Sequence, residues 1–291
     1  MSEYKASIAV LITCFNRRET TLACLEALHR SVPDDVHAKV FLVDDASTDG
    51  TAAAVARRFP HTTIIHGDGN RFWNGGMRLA WQHAIPSQPD FYLWLNDDLA
   101  MAPHTISTLL KGYAAKAAEV GRKVIMVGRT TDPVTGKTTY GGYARAPGVS
   151  RLRYRLLEDG ESECYTMHGN CVLIPAQAVK DVGIHDEAYT HAFGDVDYGL
   201  RAGKAGYRIF QCEEPVGQQE HNEAYVHKTS VLTLANWRFI LFSPKGVPLK
   251  EWLHFCREHG GGLWPVNFLT RYAKMIRMGL SSGRALTPTT K

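Results

Sequence analysis

The sequence predicts an α/β fold with a mostly parallel central sheet and helices on both of its faces. Three observations lead there. Short apolar runs rich in branched and aromatic residues recur at 8–12, 40–43, 91–95 and 124–127. Stretches with apolar residues near helical spacing separate them, such as Leu22, Leu25 and Leu28. Three of the runs stop at polar clusters: Thr13 to Asn16, Asp44-Asp45 and Asp97-Asp98. In open α/β sheets ligands bind at the carboxyl ends of strands, so the three clusters share one rim.

The elements follow in order. The first strand, 8–12, leads into a helix over 18–29. The second, 40–43, ends in Asp44 to Gly50, and Asp49 or Thr51 can cap a helix over about 51–59. Residues 63–65 form a short third strand. A helix over 74–84 is entered through Gly75-Gly76. The fourth strand is 91–95, Pro103 suits the first turn of the next helix, and 124–127 is the fifth strand. Residues 131–148, rich in Gly and Thr, read as a hairpin or long loop, and 171–175 as another short strand.

Bulk properties exclude several classes. The chain has 291 residues, enough to bury a sizeable core without staples. Its 33 basic and 29 acidic residues leave +4, too mild to suggest nucleic acid. No apolar run approaches a membrane span, and the N-terminal run is too short for a signal peptide. Six cysteines without CxxC spacing predict reduced thiols of a cytoplasmic protein and argue against zinc.

Asp97 and Asp98 carry the first chemical argument. Two adjacent carboxylates at a strand end are costly to bury unpaired. A divalent cation is their simplest partner, and oxygen ligation suits Mg²⁺ or Mn²⁺. Solvated acids in a turn are the alternative.

Four motifs occur in order: Val10-Leu11-Ile12-Thr13-Cys14-Phe15-Asn16-Arg17, Val43-Asp44-Asp45-Ala46-Ser47-Thr48-Asp49-Gly50, Leu95-Asn96-Asp97-Asp98 and Gly194-Asp195-Val196-Asp197-Tyr198-Gly199-Leu200-Arg201. Together, over roughly residues 6–225, the chain resembles family 2 of the inverting glycosyltransferases, which have the Rossmann-like GT-A fold. The last motif is also similar to galactofuranosyltransferases, and rhamnosyltransferases share the expected donor chemistry. The resemblance implies a catalytic domain over 1–225, its nucleotide-sugar half about 1–100 and its acceptor half about 101–225. Residues 226–291 are then a C-terminal helical extension.

The resemblance also implies roles. Such an enzyme moves a sugar from a nucleotide diphosphate donor, UDP first and dTDP second, to a saccharide or lipid-linked acceptor in bacterial cell-surface polysaccharide synthesis. Mn²⁺ or Mg²⁺ would sit on Asp98, with Asp97 nearer the ribose or bound through water. Asn96 replaces the first acid of the family's metal motif. His221 would complete the metal site or serve structure alone. Asp195 would be the catalytic base, a weak one unless burial or nearby acids raise its pKa. Asp197 would add to the field there or hold acceptor. Gly194 stands where the family usually has an acid.

Asp45 would read the pyrimidine imide. Thr13 and Phe15 would flank the base, with Asn16 beside them, and Arg17 would meet a phosphate or begin a solvated helix. Gly75 and Gly76 would let the donor approach a helix start whose amides attract anions. Trp73 either lines the sugar pocket or is core, and His168 lies where acceptor is expected.

After Glu258 there is no acidic residue. Phe268, Leu269, Tyr272, Met275 and Ile276 fall on one helical face, with Arg271, Lys274 and Arg277 off it. Residues 264–291 thus read as a peripheral anchor at the cytoplasmic face of the inner membrane. The alternatives are a helix packed on the catalytic domain or on a second subunit of a homo-oligomer. The competing functions are an inactive nucleotide-sugar-binding module and a nucleotidyltransferase. A Rossmann oxidoreductase lacks the GxGxxG after its first strand.

Overall fold

The computed structural model describes residues 5–158, 160–220 and 234–285. Strands β1 (Ala6–Cys14), β2 (Val36–Asp44), β3 (Thr63–His66) and β4 (Phe91–Leu95) pair in parallel in the order β4-β1-β2-β3. The remaining strands are β5 (Ala100–Met101), β6 (Val124–Thr131), β7 (Thr138–Tyr140), β8 (Gly142–Arg145), β9 (Tyr154–Leu156), β10 (Glu163–Cys164), β11 (Thr166–Met167), β12 (Cys171–Pro175) and β13 (Arg208–Gln218). The main sheet continues from β4 through β12, β6 and β13 to β10, while β8, β9 and β11 form a small second sheet.

The expectation of a mostly parallel sheet holds for the first four strands. Beyond them the sheet is mixed, because β12 runs antiparallel to both β4 and β6. The reason is the connection. Between β6 and β12 the chain makes short antiparallel strands instead of a crossover helix, and parallel neighbours need such a crossover.

β1 is buried on both sides, as its unbroken apolar run demands. Ile8, Val10 and Ile12 join Leu93 and Leu95 in one core, covered by α1 (Arg18–Ser31), α2 (Thr51–Arg58) and α4 (Thr105–Val120). Ala9 and Leu11 join Tyr92 and Trp94 in the other, covered by α3 (Phe72–Ala84), α5 (Ala176–Val182) and α6 (Gly194–Lys204). The alternation along β1 and β4 therefore decides which helix each residue meets. All six cysteines are buried and unpaired.

Three further helices, α7 (Leu234–Phe242), α8 (Leu249–His259) and α9 (Trp264–Ala285), form a third core with Tyr189, Phe193, Val196 and Leu200. The boundary expected at 225/226 lies outside the described residues, but the helices beyond it share this core with residues before it. The apolar face predicted on α9 divides in two. Phe268, Tyr272 and Met275 pack into the third core, together with Trp264. Leu269 and Ile276, with Val266, stay exposed at 64%, 45% and 54%. The stripe is wide enough for one edge to be buried and the other left in solvent.

Candidate functional site

A cleft of about 1200 Å³ opens where the strand ends, α6 and α9 meet. Arg17, Trp73, Asn96, Asp98, His168 and Asp195 all line it. The structure thus brings residues from all but the second of the sequence motifs to one cavity.

Asp97 and Asp98 follow β4 directly, and Arg17 lies just past the end of β1. One Nη of Arg17 donates to both acids, at 3.1 Å to Asp97 and 2.9 Å to Asp98. Asp97 also accepts from the Thr21 hydroxyl at 3.2 Å. Burial pushes the Asp97 carboxyl up to about 6, with Arg17 pulling against it and the Asp98 charge adding to it. Gln219 donates to Asp98 at 2.6 Å and accepts from Asn170 at 2.7 Å. Asn96 accepts from the Trp73 indole at 2.7 Å, so Trp73 belongs to the cleft wall and is fixed to the acidic motif.

These two carboxylates already hold one cation, the guanidinium, and such a pair suits a hard divalent ion. Among the described residues no three His, Cys, Asp or Glu side chains converge. His221 lies outside the described residues.

Asp195 sits in the first turn of α6, preceded by Phe193 in the left-handed region at φ 70°. Its carboxylate accepts from the backbone N–H of Gly169 at 3.0 Å and of Val196 at 2.8 Å. Burial raises its proton affinity above the ordinary value, against those hydrogen bonds. Gly169 must be small, since a Cβ there would fall 2.3 Å from the Trp73 ring. Gly194 leaves no room for a side chain here: a Cβ would lie 1.7 Å from Asn74 Oδ1. The Asn74 amide donates to the carbonyls of Asp186 and Tyr189 and cannot easily move. His168 meets the cleft hydrogen-bonded to the Tyr143 hydroxyl, with Tyr140 edge-on at 5.1 Å.

Several expected residues have other work. Asp197 does not face the cleft. It is 1% exposed and accepts from Arg201 at 2.8 Å, with His259 also at 2.8 Å, tying α6 to α8. Burial alone would raise its pKa, but these partners hold it below the ordinary value. Asp45, expected to read the base, accepts from the N–H groups of Gly69, Arg71 and Phe72 at 2.9, 2.9 and 3.1 Å. Its oxygens thereby close the loop that begins α3.

Gly75 and Gly76 do not present free helix-start amides either. α3 begins at Phe72, and its early donors go to Asp45, His191 and the Thr190 carbonyl. Gly76 instead lets α3 press on β1, because a Cβ would meet Thr13 Oγ1 at 2.2 Å. Asn16, at φ 51°, links to Ser47 and Thr48, while Phe15 is 52% exposed and free to stack.

Sequence reasoning missed much of the cleft. Gln219 and Asn170 stand beside Asp98 but far from it in sequence. Arg153, Lys245, Arg271 and Lys274 also line the cavity. Two of these lie on α9, which the sequence read as a membrane anchor, with packing on the catalytic domain or on a second subunit as the alternatives.

Comparison with known proteins follows the geometry. A sequence model of the family described as Glycosyl transferase family 2 matches residues 9–172, more than half of the chain. An N-acetylglucosaminyl-diphospho-decaprenol L-rhamnosyltransferase from Mycobacterium tuberculosis is 26% identical over 207 residues, covering 64% of this chain and 67% of that protein. The fold resembles a mannosyltransferase from Pyrobaculum calidifontis in complex with GDP-Man and Mn²⁺, at a TM-score of 0.58 and 14% identity, over 99% of this chain and 77% of the other. It also resembles Staphylococcus aureus TarS 1–349 in complex with UDP-GlcNAc, at a TM-score of 0.55 and 14% identity, over 98% and 74% of the two chains. At these identities the structural likeness concerns the GT-A fold alone.

Proposed function

The chain belongs to glycosyl transferase family 2, and on that premise we propose that it is a metal-dependent, inverting transferase acting in cell-surface polysaccharide synthesis. One observation carries the reading: the Asp98–Arg17 pair at the strand ends and Asp195 at the start of α6 line the same cleft. The first group can neutralise a leaving diphosphate and the second can take a proton from an acceptor hydroxyl.

Asp98, with Asp97 beside it nearer the ribose or reached through water, would hold Mn²⁺ or Mg²⁺, which supplies Lewis-acid charge neutralisation when bound. Arg17 is positioned to follow the negative charge, on the carboxylates or on a diphosphate. Asp195 is fixed by the Gly169 and Val196 amides, and its raised pKa makes it a better general base than a solvated aspartate. Trp73 and His168 border the space between the reacting partners. Phe15 offers a stacking face for a nucleobase. UDP is the first nucleotide to test and dTDP the second. A lipid-linked acceptor is favoured by the mycobacterial relative, whose name gives a diphospho-decaprenol substrate. The exposed edge of α9, with its basic neighbours, suits peripheral contact with an anionic membrane, and among the described residues no helix is long and apolar enough to cross one.

Calorimetric titration with UDP, dTDP, GDP and CDP, with and without Mn²⁺, tests the reading. Metal-dependent binding of one pyrimidine diphosphate is expected. Failure of a folded sample to bind any of the four would remove it.

A further inference from the structure

We infer that Asn96 and His191 determine which sugar is transferred, as two uncharged N–H donors that Trp73 holds in the cleft. The inference rests on the transferase reading above and deepens it.

Trp73 fixes both donors. Its indole N–H donates to Asn96 Oδ1 at 2.7 Å. That contact sets which end of the amide is oxygen and leaves the Asn96 NH₂ to face another partner. The Trp73 backbone N–H donates to His191 Nδ1 at 3.4 Å. A ring nitrogen that accepts carries no proton, so the neutral ring has its proton on Nε2. Burial, and then the Lys245 charge, push the His191 pKa down to about 4, which keeps the ring neutral. Phe72, in the left-handed region at φ 50°, sets its ring edge-on to His191 at 6.0 Å. Asn96 and His191 both line the cleft. Neither the Asn96 NH₂ nor His191 Nε2 has a hydrogen-bond partner among the described residues.

The indole that holds them cannot turn away. It stands edge-on to Trp94 at 6.1 Å and to His185 at 5.3 Å. Gly169 closes its far edge, where a Cβ would fall 2.3 Å from Trp73 Cη2.

Position decides what the donors meet. Asn96 immediately precedes the strand-end acids, and Gly169, against the Trp73 ring, donates to Asp195 at 3.0 Å. Trp73 therefore spans from the acids to the proposed base. In an inverting displacement the entering and leaving oxygens lie on opposite faces of the sugar. Groups that bridge acids and base thus border the sugar rather than the nucleotide. Arg17 answers phosphate charge, whereas an amide and a neutral imidazole answer uncharged oxygens. As held, the two N–H groups can only donate, so each asks for an acceptor: a hydroxyl, the ring oxygen or an acyl carbonyl. The substrate class is a glycosyl group with two oxygen functions turned toward Trp73. A sugar lacking either oxygen leaves a half-buried donor unpaired and is rejected.

The full chain is titrated in Mn²⁺ with UDP and dTDP, and with UDP-glucose, UDP-galactose, UDP-N-acetylglucosamine and dTDP-rhamnose. The readout is the Kd of each nucleotide divided by that of its sugar conjugate, a ratio that a general loss of nucleotide affinity does not move. For the tightest conjugate, N96A and H191F should each lower the ratio by about fivefold or more, the worth of one hydrogen bond. H191Q, whose amide N–H can reach the place of Nε2, should restore part of it. Melting temperatures establish that each variant is folded. Long-range ¹H–¹⁵N spectra of the histidine-labelled parent at neutral pH should show His191 as the Nε2–H tautomer. An Nδ1–H or charged ring would overturn the inference. So would a ratio unchanged in both variants for every conjugate, or binding of UDP or dTDP with no conjugate bound. Binding of neither nucleotide by folded protein would strike the transferase reading, and this inference with it.

Discussion

At the scale of single residues, Asp195 and Asp97 give opposite pH signatures. Asp195 must be ionised to act as a base, and burial raises its proton affinity. Turnover should therefore fall as pH drops through a value above the ordinary aspartate range. D195N should lose about 10²–10⁴-fold in kcat, the usual contribution of general base catalysis, with nucleotide affinity intact by calorimetry. Asp97 titrates at about 6 in the folded protein, against 3.8 ordinarily. The native state then holds its proton more tightly than the unfolded chain, so stability is lost as pH rises from about 4 to about 6. The difference corresponds to about 3 kcal/mol. D97N escapes this cost. Denaturant melts at pH 8 should show it more stable than the parent by up to about 3 kcal/mol, with the gap closing near pH 4, and its Mn²⁺ affinity should fall at both values. The sequence made Asp97 and Asp98 legible because they end a strand with a clear pattern, whereas Asp195 was singled out by the resemblance of its motif to the family. It could not show that Arg17 bridges the two acids, since that contact joins residues 80 and 81 positions apart.

Elements carry the next lesson. β1, β2 and β4 were readable from unbroken apolar runs, because a strand buried on both faces has no polar side. The start of α3 was not. The glycines suggested entry at Gly75-Gly76, but the Asp45 carboxylate captures the amides of Arg71 and Phe72 and begins the helix earlier. A contact 26 residues away overrides local propensity. β12 was likewise visible as a strand but not in direction, which the intervening hairpins decide. The junction of α3 with α6 is tightly constrained. G194D, which would restore the family's usual acid, drives a side chain into Asn74. A loss of at least about 1–3 kcal/mol is expected from such overpacking, read as a lower melting temperature. N74A alongside G194D should recover part of it.

For the whole molecule, α9 packs one edge into the third core and leaves the other in solvent, where the sequence treated packing and membrane contact as alternatives. Its amphipathic pattern was plain, but a pattern gives a face and not the neighbour that covers it. Packing took Phe268, Tyr272 and Met275, and left Val266, Leu269 and Ile276 outward. Removing the helix would therefore expose the third core, so point changes are the better probe of membrane contact. V266E/L269E/I276E should sediment several-fold less with anionic vesicles at low salt while melting at the parent's temperature. Equal sedimentation would show that this edge does not meet lipid.

The His259–Asp197 bond and the cations of α9 have a temporal consequence as well. The cleft is walled by groups from both early and late parts of the chain, so its contacts span most of the sequence. Long-range closure of this kind is slow, because the intervening loop must be ordered before the contact repays it. During synthesis the strand-end carboxylates emerge well before α8 and α9 leave the ribosome. A nascent chain can thus assemble its acidic rim early, yet it gains the wall opposite only after α8 and α9 have followed.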